Sequence, residues 1–302
     1  MRKFLIALAM VIVLIAVPMS GFAATGTVIY DSTVSPLPGN LPSVGFEATS
    51  TSELGDEISF AGTSRALQQV TVTMSSWACE SGGWTTGDCE TTPGATFPVP
   101  ITFTIYSVAA GDTVGSQIAT VTETFDIPYR PSADNVNCSG GTWYSSSDGA
   151  CYNGFATNIT FDFSSQAVTL PDSVIYGISY NTSNYGYSPL GVSGPYDSLN
   201  VGLAPAVSVG SQVNPGKVFL NSTWSGAYCD KGTAGTGRFR LDSPGDEASD
   251  ACWTGSVPAV QFVATGLAPT SKDQCKAGGW QQFDNPHFKN QGDCIQFVNT
   301  GK

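Results

Sequence analysis

The stretch Pro-Ile-Thr-Phe-Thr-Ile-Tyr-Ser-Val at residues 100–108 shows the pattern that decides the fold. Ile101, Phe103 and Ile105 alternate with threonines, so one face of this segment is apolar and the other is polar. A period of two is typical of a β-strand with one buried and one solvated face, as in antiparallel sheets. The stretch therefore predicts a half-buried antiparallel strand.

The same alternation recurs along the chain, in residues 69–77, 159–163 and 174–180. Further strand candidates are residues 26–31, 57–61, 117–127, 217–220 and 259–264. Turn-rich stretches separate these segments, at residues 36–42, 79–98, 131–153, 181–195 and 223–254. Many short strands with polar, glycine-rich connections predict an all-β fold, an antiparallel and jelly-roll-like β-sandwich over residues 25–267.

Residues 1–24 have the composition of a secretory signal peptide. Arg2 and Lys3 precede an apolar run at residues 4–17, and small residues at 20–24 allow cleavage after Ala23 or Ala24. An uncleaved N-terminal anchor is the alternative, but the run is shorter than the about 20 residues that a spanning helix needs. We therefore expect an exported, extracellular chain that is free of the membrane after signal cleavage.

The chain has eight cysteines, and all of them follow this signal. Export favours disulfides over free thiols. Pairing of nearest neighbours encloses one short polar loop each time and gives the pairs Cys79/Cys89, Cys138/Cys151, Cys229/Cys252 and Cys275/Cys294. Zinc is the alternative, but neither close Cys-x-x-Cys spacing nor clustered histidines accompany these cysteines.

The charge balance is strongly acidic. The net charge of -12 becomes -14 when the signal is removed, because Arg2 and Lys3 are lost and no acidic residue is. Nucleic acids and anionic membranes bind basic patches, so neither is expected as a partner. With only 12% charged residues, the solvated surface must consist largely of Ser, Thr, Asn and Gly.

Residues 268–302 differ in character from the sandwich. After the short linker 268–270, Ser271 provides a helix cap before good helix formers, and residues 290–298 read similarly. We predict a partly helical appendage stapled by Cys275/Cys294, with an apolar side formed by Trp280, Phe283, Phe288 and Phe297. About thirty residues are too few for an independent core, so this module should pack on the sandwich or on a partner.

Two motifs carry a resemblance. Residues 271–280 (SKDQCKAGGW) and 288–294 (FKNQGDC) resemble a C-terminal tail of uncharacterised secreted proteins of actinobacteria and related bacteria. Residues 55–65 (GDEISFAGTSR) resemble the start of bacterial extracellular β-sandwich domains. The resemblance implies an architecture and an extracellular habitat, and it carries over no catalytic residues.

The sequence lacks the residues that several kinds of catalysis require. His287 is the only histidine, which excludes multi-histidine metal sites and leaves a Ser-His-Asp triad without its usual context. Oxidised cysteines cannot act as thiol nucleophiles. A pair of carboxylates remains for glycoside hydrolysis, but Asp56 and Glu57 are adjacent and should point to opposite faces of a strand.

The densest acidic stretch is residues 242–250. Oxygen-rich loops bind calcium when carboxylates and carbonyls converge. The candidate calcium ligands are Asp242, Asp246 and Asp250, although the spacing does not match an EF-hand loop. A solvated acidic loop without an ion is the alternative, and no other cofactor is expected.

All six tryptophans lie in or beside a disulfide loop. Either each indole covers its disulfide, or some rings are exposed and stack on sugars, held rigid by the disulfides. The candidate ligand-binding residues under the second interpretation are Trp84, Trp143, Trp224, Trp253, Tyr185 and Tyr187. Two earlier tyrosines, Tyr176 and Tyr180, share a strand face that should pack inward.

These observations favour a secreted, non-catalytic β-sandwich that acts as an extracellular binding or cell-envelope protein, with polysaccharide as the expected ligand. A secreted glycan-active hydrolase that uses a carboxylate pair is the first alternative. A purely structural matrix protein, docked through the tail, is the second.

Overall fold

The computed structural model describes residues 26–181, 199–229, 237–242, 252–283 and 286–301. The strands, in chain order, are β1 (Thr27–Asp31), β2 (Ser43–Gly45), β3 (Thr51–Ser59), β4 (Ala66–Ser76), β5 (Thr96–Ala109), β6 (Thr113–Pro128), β7 (Trp143–Ser145), β8 (Ala150–Tyr152), β9 (Phe155–Asp162), β10 (Ser173–Tyr180), β11 (Leu199–Ala204), β12 (Ser211–Gln212), β13 (Val218–Ser222), β14 (Arg240–Asp242), β15 (Val257–Pro258) and β16 (Val260–Thr265). The α-helix α1 (Gln291–Thr300) closes the chain.

Within the described residues the strands form two seven-stranded sheets. The first has the order β1-β16-β4-β11-β15, with β2 paired to β11 and β9 paired to β4. The second has the order β14-β13-β3-β10-β5-β6, with β12 paired to β3. The strand pairs are antiparallel, and β7 and β8 form a separate small hairpin. The prediction of an all-β antiparallel sandwich is confirmed.

The alternation in β5 produces the core as predicted. Ile101, Phe103 and Ile105 are buried, and the Phe103 ring lies between the sheets. Its centroid is 5.5 Å from that of Phe161 on β9 and 5.7 Å from that of Phe262 on β16. Aromatic contacts of this kind add to the stabilisation that apolar burial provides.

The sequence prediction differs from the structure at several strands. The short strands of two or three residues were not predicted: β2, β7, β8, β12, β14 and β15. The candidate strand at residues 57–61 overlaps only the end of β3, which begins at Thr51 and includes Glu53 and Asp56. Strand β11 was also missed, although Leu199, Val201 and Leu203 alternate with Asn200 and Gly202. Its six residues are all buried, so the polar Asn200 faces no solvent.

One end of the sandwich, which we call the disulfide end, is where β4, β6, β10 and β13 finish and β3, β5 and β9 begin. The registers place Phe155 beside Ser76 and Thr96 beside Pro128 at this end. The two sheets meet there, since the Arg130 amide donates to the Ala78 carbonyl at 2.9 Å. The start of β1, the turn between β5 and β6 and the end of β16 lie at the opposite end.

The C-terminal module contains two 3-10 helices, Lys272–Cys275 and Gly279–Gln282, before α1. Ser271 and Gln274 form a capping box at the first helix, and the Asn290 side chain accepts from the Asp293 amide at 3.0 Å before α1. The predicted apolar side packs around the buried Cys275 and Cys294, together with Leu267 and residues of α1. The partly helical, disulfide-stapled appendage is therefore confirmed, with its apolar cluster formed from residues 267 onward.

Candidate functional site

The eight cysteines pair as the sequence predicts, each with its nearest neighbour along the chain. Their Cα–Cα distances are 5.4, 5.9, 6.1 and 5.7 Å, in chain order, within the range of ordinary disulfides. The loops closed by Cys79–Cys89 and Cys138–Cys151 both lie at the disulfide end. These two loops carry the candidate site.

The third pair, Cys229–Cys252, corrects the expectation that an indole covers each disulfide. Cys252 is exposed, although Trp253 beside it in the chain is buried. The Trp253 ring packs into the core of the sandwich with Tyr228, so it leaves Cys252 open to solvent. Most of the loop between the two cysteines, residues 230–236 and 243–251, lies outside the described residues. This disulfide therefore joins an exposed Cys252 to a half-buried Cys229 that packs against the core.

The tryptophans are mostly covered. Trp224, at 51% exposure, is the exposed one, while Trp143 and Trp253 retain 6% and 9%. The indole N–H of Trp253 donates to the Asp242 carboxylate at 2.8 Å, so this ring is fixed inside the protein and offers no face to a sugar. The other three, Trp77, Trp84 and Trp280, are half-buried.

Two concavities follow one another along residues 37–43 at the disulfide end. The first, of about 410 Å³, is lined by Trp143, Tyr144 and Phe155, and the second, of about 310 Å³, by Trp77 and Tyr152. We call the two together the aromatic groove. Tyr144 is 37% exposed and Tyr152 is half-buried, so both tyrosines offer ring surface that the buried Trp143 does not.

The walls of the aromatic groove are packed aromatic side chains. Trp143 donates from its indole nitrogen to the Gly154 carbonyl at 2.7 Å, and its ring centroid is 5.7 Å from that of Tyr152. Trp77 donates to the Ser75 hydroxyl at 3.0 Å and meets Trp84 edge to face at 4.8 Å. Satisfied indole nitrogens and ring contacts hold these rings in single orientations.

Asp148 fixes Tyr152, the tyrosine that lines the second concavity. Its Oδ2 accepts from the Gly39 amide at 2.9 Å and from the Tyr152 hydroxyl at 2.8 Å. These hydrogen bonds, the Gly39 amide foremost, lower the pKa of Asp148 to about 2. The carboxylate thus joins the β7–β8 hairpin to the segment that floors the groove.

Arg130 ties the two disulfide loops together from below. Its side chain is fully buried, and Nη2 donates to the Gly141 carbonyl at 2.6 Å. Burial lowers the pKa of Arg130 to about 10, so the guanidinium is still charged at neutral pH. Gly141, at φ 73°, lies directly against Gly87 of the first loop, where a Cβ would overlap the backbone. Sequence reasoning missed Arg130, because a single arginine in a turn carries no signal of burial.

A third, more polar concavity of about 940 Å³ lies beside the first disulfide loop and is lined by Glu80, Asp88 and Glu90. Hydrogen bonds from Thr92 lower the pKa of Glu80, and those from Thr86 and the Gly83 amide lower the pKa of Asp88. Both groups are therefore anionic at neutral pH. This surface is acidic.

Of the three predicted calcium ligands, only Asp242 lies within the described residues. Asp242 is buried, and its carboxylate accepts from the Cys229 amide at 2.9 and 3.0 Å as well as from Trp253. It therefore anchors the third disulfide region from within rather than standing in a solvated loop. Asp246 and Asp250, like Tyr185 and Tyr187, lie outside the described residues.

The carboxylates of β3 alternate between the two faces of the strand. Asp56 faces the core and Glu57 lies on the other face, as their adjacency predicts. Glu53 shares the face of Glu57. Glu53 accepts from the Tyr106 hydroxyl at 2.9 Å and Glu57 accepts from Asn214 Nδ2 at 2.9 Å, so each carboxylate is held by its own partner. Burial raises the pKa of both.

His287 is exposed in the C-terminal module and lines neither concavity of the aromatic groove. No helix among the described residues is long and apolar enough to cross a membrane.

Comparison with protein-family models, curated proteins and solved structures finds no match to this chain.

Proposed function

We propose that this chain is an exported carbohydrate-binding protein, and that the aromatic groove at the disulfide end holds the sugar. The observation that carries the proposal is the pair of tyrosines that line two consecutive concavities, the exposed Tyr144 in the first and the half-buried Tyr152 in the second. Tyrosine rings offer rigid apolar surface with a hydrogen-bonding tip, and sugars present both apolar faces and hydroxyls. Asn40 and Asn153 line the second concavity and supply amide groups for those hydroxyls.

The rigidity of the groove supports the proposal. Two disulfides, the buried Arg130 and the Asp148 hydrogen bonds order its loops before any ligand arrives. Binding to a pre-ordered surface avoids the cost of immobilising loops and side chains, about 0.5–1.5 kcal/mol for each flexible side chain. A shallow groove with few rings can then reach measurable affinity.

The location forms part of the proposal. The four disulfides fit an oxidising compartment, and residues 1–24 are proposed to be the cleaved signal peptide. N-terminal sequencing of the protein secreted by an expressing bacterium tests this step. A mature chain that begins at Ala24 or Thr25 supports it, and a retained Met1 contradicts it.

Affinity electrophoresis tests the binding function. The purified protein is run through gels that contain a soluble β-1,4-glucan, β-1,3-glucan, xylan, mannan or α-glucan, and retardation reports binding. We expect at least one polymer to retard the protein, and Tyr144→Ala or Tyr152→Ala to weaken that retardation about tenfold, equivalent to about 1.4 kcal/mol.

Val136→Ala is the matched control, because Val136 is 92% exposed in the same loop region but lines neither concavity. Retardation that is lost with Trp224→Ala and retained in the tyrosine variants would move the site away from the groove. If no polymer retards the protein, the proposal fails.

A further inference from the structure

The loops around the aromatic groove have a one-sided charge. Residues 77–95 and 129–154 contain a single basic residue, Arg130, whose side chain is fully buried. Four of their carboxylate residues are exposed and Asp134 is half-buried. Asp148 is hydrogen-bonded to Gly39 and Tyr152 of the groove, while Glu80, Asp88 and Glu90 line the third concavity. These two loops therefore offer a ligand negative charge and no accessible cation. The five carboxylates belong to Glu80, Asp88, Glu90, Asp134 and Asp148.

From this we infer that the aromatic groove selects uncharged glycans and rejects polymers that carry carboxylate or phosphate groups. The inference rests on the proposed function and adds the ligand class. Recognition of an anionic sugar needs Arg or Lys within reach, since bidentate or point-charge contacts are what hold such groups. These loops supply only repulsion, acting over a Debye length of about 8 Å at physiological salt.

The hydrogen bonds of the carboxylates make the charge permanent. Asp134 accepts from the amides of Val136 and Asn137 at 2.9 Å each, and Asp148 is held by Gly39 and Tyr152. Groups fixed in this way do not become neutral when an anion approaches at neutral pH. The rejection should thus depend on salt, which screens it, more than on pH between about 6 and 8.

The experiment compares each polymer with its own carboxymethylated form. Neutral and carboxymethylated cellulose, β-1,3-glucan and dextran derivatives are used in affinity gels at about 20 mM and about 500 mM salt. For any polymer that binds, we expect the carboxymethylated form to bind at least tenfold more weakly than the neutral form at low salt. This difference in affinity should become smaller at high salt. Equal or tighter binding of a carboxymethylated form overturns the inference while leaving the binding function intact. If no polymer of either kind binds, the proposed function and the inference fail together.

A pair of charge variants distinguishes the effect of charges at the disulfide end from the effect of the net charge of the protein. Glu90→Gln removes one charge at the disulfide end, and Asp112→Asn removes one from the turn at the opposite end. At low salt, we expect Glu90→Gln to reduce the ratio of the affinities for neutral and carboxymethylated polymer about twofold. Asp112→Asn should leave this ratio unchanged. Equal effects of the two variants would show that net charge alone excludes the anionic polymer, which would overturn selection by the groove.

Discussion

Replacing the buried Asp56 by asparagine should remove a pH-dependent cost from the fold. Asp56 lies on the core face of β3 between Leu54 and Ile58 and has no exposed surface. Its carboxylate accepts from Gln212 Nε2 at 2.6 Å and from the Glu57 amide at 2.8 Å. No ion pair with Asp56 occurs among the described residues. Burial therefore raises the pKa of Asp56 well above its ordinary value, and the two hydrogen bonds only partly oppose this.

The direction in which stability changes with pH follows from proton linkage. An acid whose pKa is higher in the folded state binds more protons there, so the free energy of unfolding falls as the pH rises. The fall begins near the unfolded value of about 3.9 and continues up to the folded pKa, with a slope approaching 1.4 kcal/mol per pH unit for one proton. Asparagine has the same shape and no charge, so the Asp56→Asn variant should lack this slope. Its stability relative to the native chain should increase steadily with pH.

Urea unfolding of both proteins at pH 4.5, 5.5, 6.5 and 7.5, with the disulfides intact, measures the difference. Asp126→Asn is the control, because Asp126 is an exposed aspartate of β6. We expect a growing advantage for Asp56→Asn and a nearly constant difference for Asp126→Asn. A difference between Asp56→Asn and the native chain that is flat, or that shrinks as pH rises, would refute the reasoning.

Other perturbations address the disulfide end. Gly141→Ala should destabilise the protein by about 1–3 kcal/mol more than Gly140→Ala, because both glycines have positive φ but only the Gly141 Cβ would meet backbone; equal melting temperatures would contradict this. The Arg130→Lys variant should be less stable than Arg130→Met, although lysine keeps the charge. An ammonium group is more strongly hydrated in water, so its burial costs more, and it cannot reproduce the hydrogen-bonding geometry of the guanidinium. A higher melting temperature for Arg130→Lys than for Arg130→Met would contradict this. Asp148, whose pKa is about 2, should stabilise the native chain above the unfolded value of about 3.9 and lose that contribution as pH falls toward 2. Asp148→Asn should therefore lose less stability on acidification, and an unchanged acid profile would show that its hydrogen bonds are unimportant.

The parts of the fold that were predicted correctly share one property: their signal is local. Ile101, Phe103 and Ile105 alternate with polar residues whether or not the rest of the chain is known, and β5 follows from them. Short-range cysteine pairs also need only their spacing and the compartment. Strand β11 carries a similar but shorter alternation, and its burial is decided by distant segments such as β4, with which it pairs.

The sequence placed its candidate binding residues in and beside the disulfide loops, and the aromatic groove lies beside two of these loops. The sequence did not indicate which rings are exposed. Trp143 and Trp253 turn inward, while Tyr144 and Tyr152, which were not singled out, line the groove. Cys252 likewise stays exposed beside a buried indole. Exposure of a side chain depends on what the rest of the fold places over it, and no local pattern records that.

The sequence by itself determined the antiparallel β architecture, the cysteine pairing and the acidic character, because alternation, spacing and charge are properties of neighbouring residues. Only the tertiary structure decided that Asp56 and Arg130 are buried, that Asp242 anchors a disulfide region from within, and that two loops meet at Gly87 and Gly141. Each of these depends on segments far apart in the chain. A charged side chain has the same identity in water and in the core, and the difference in its energy comes entirely from the surroundings that folding assembles.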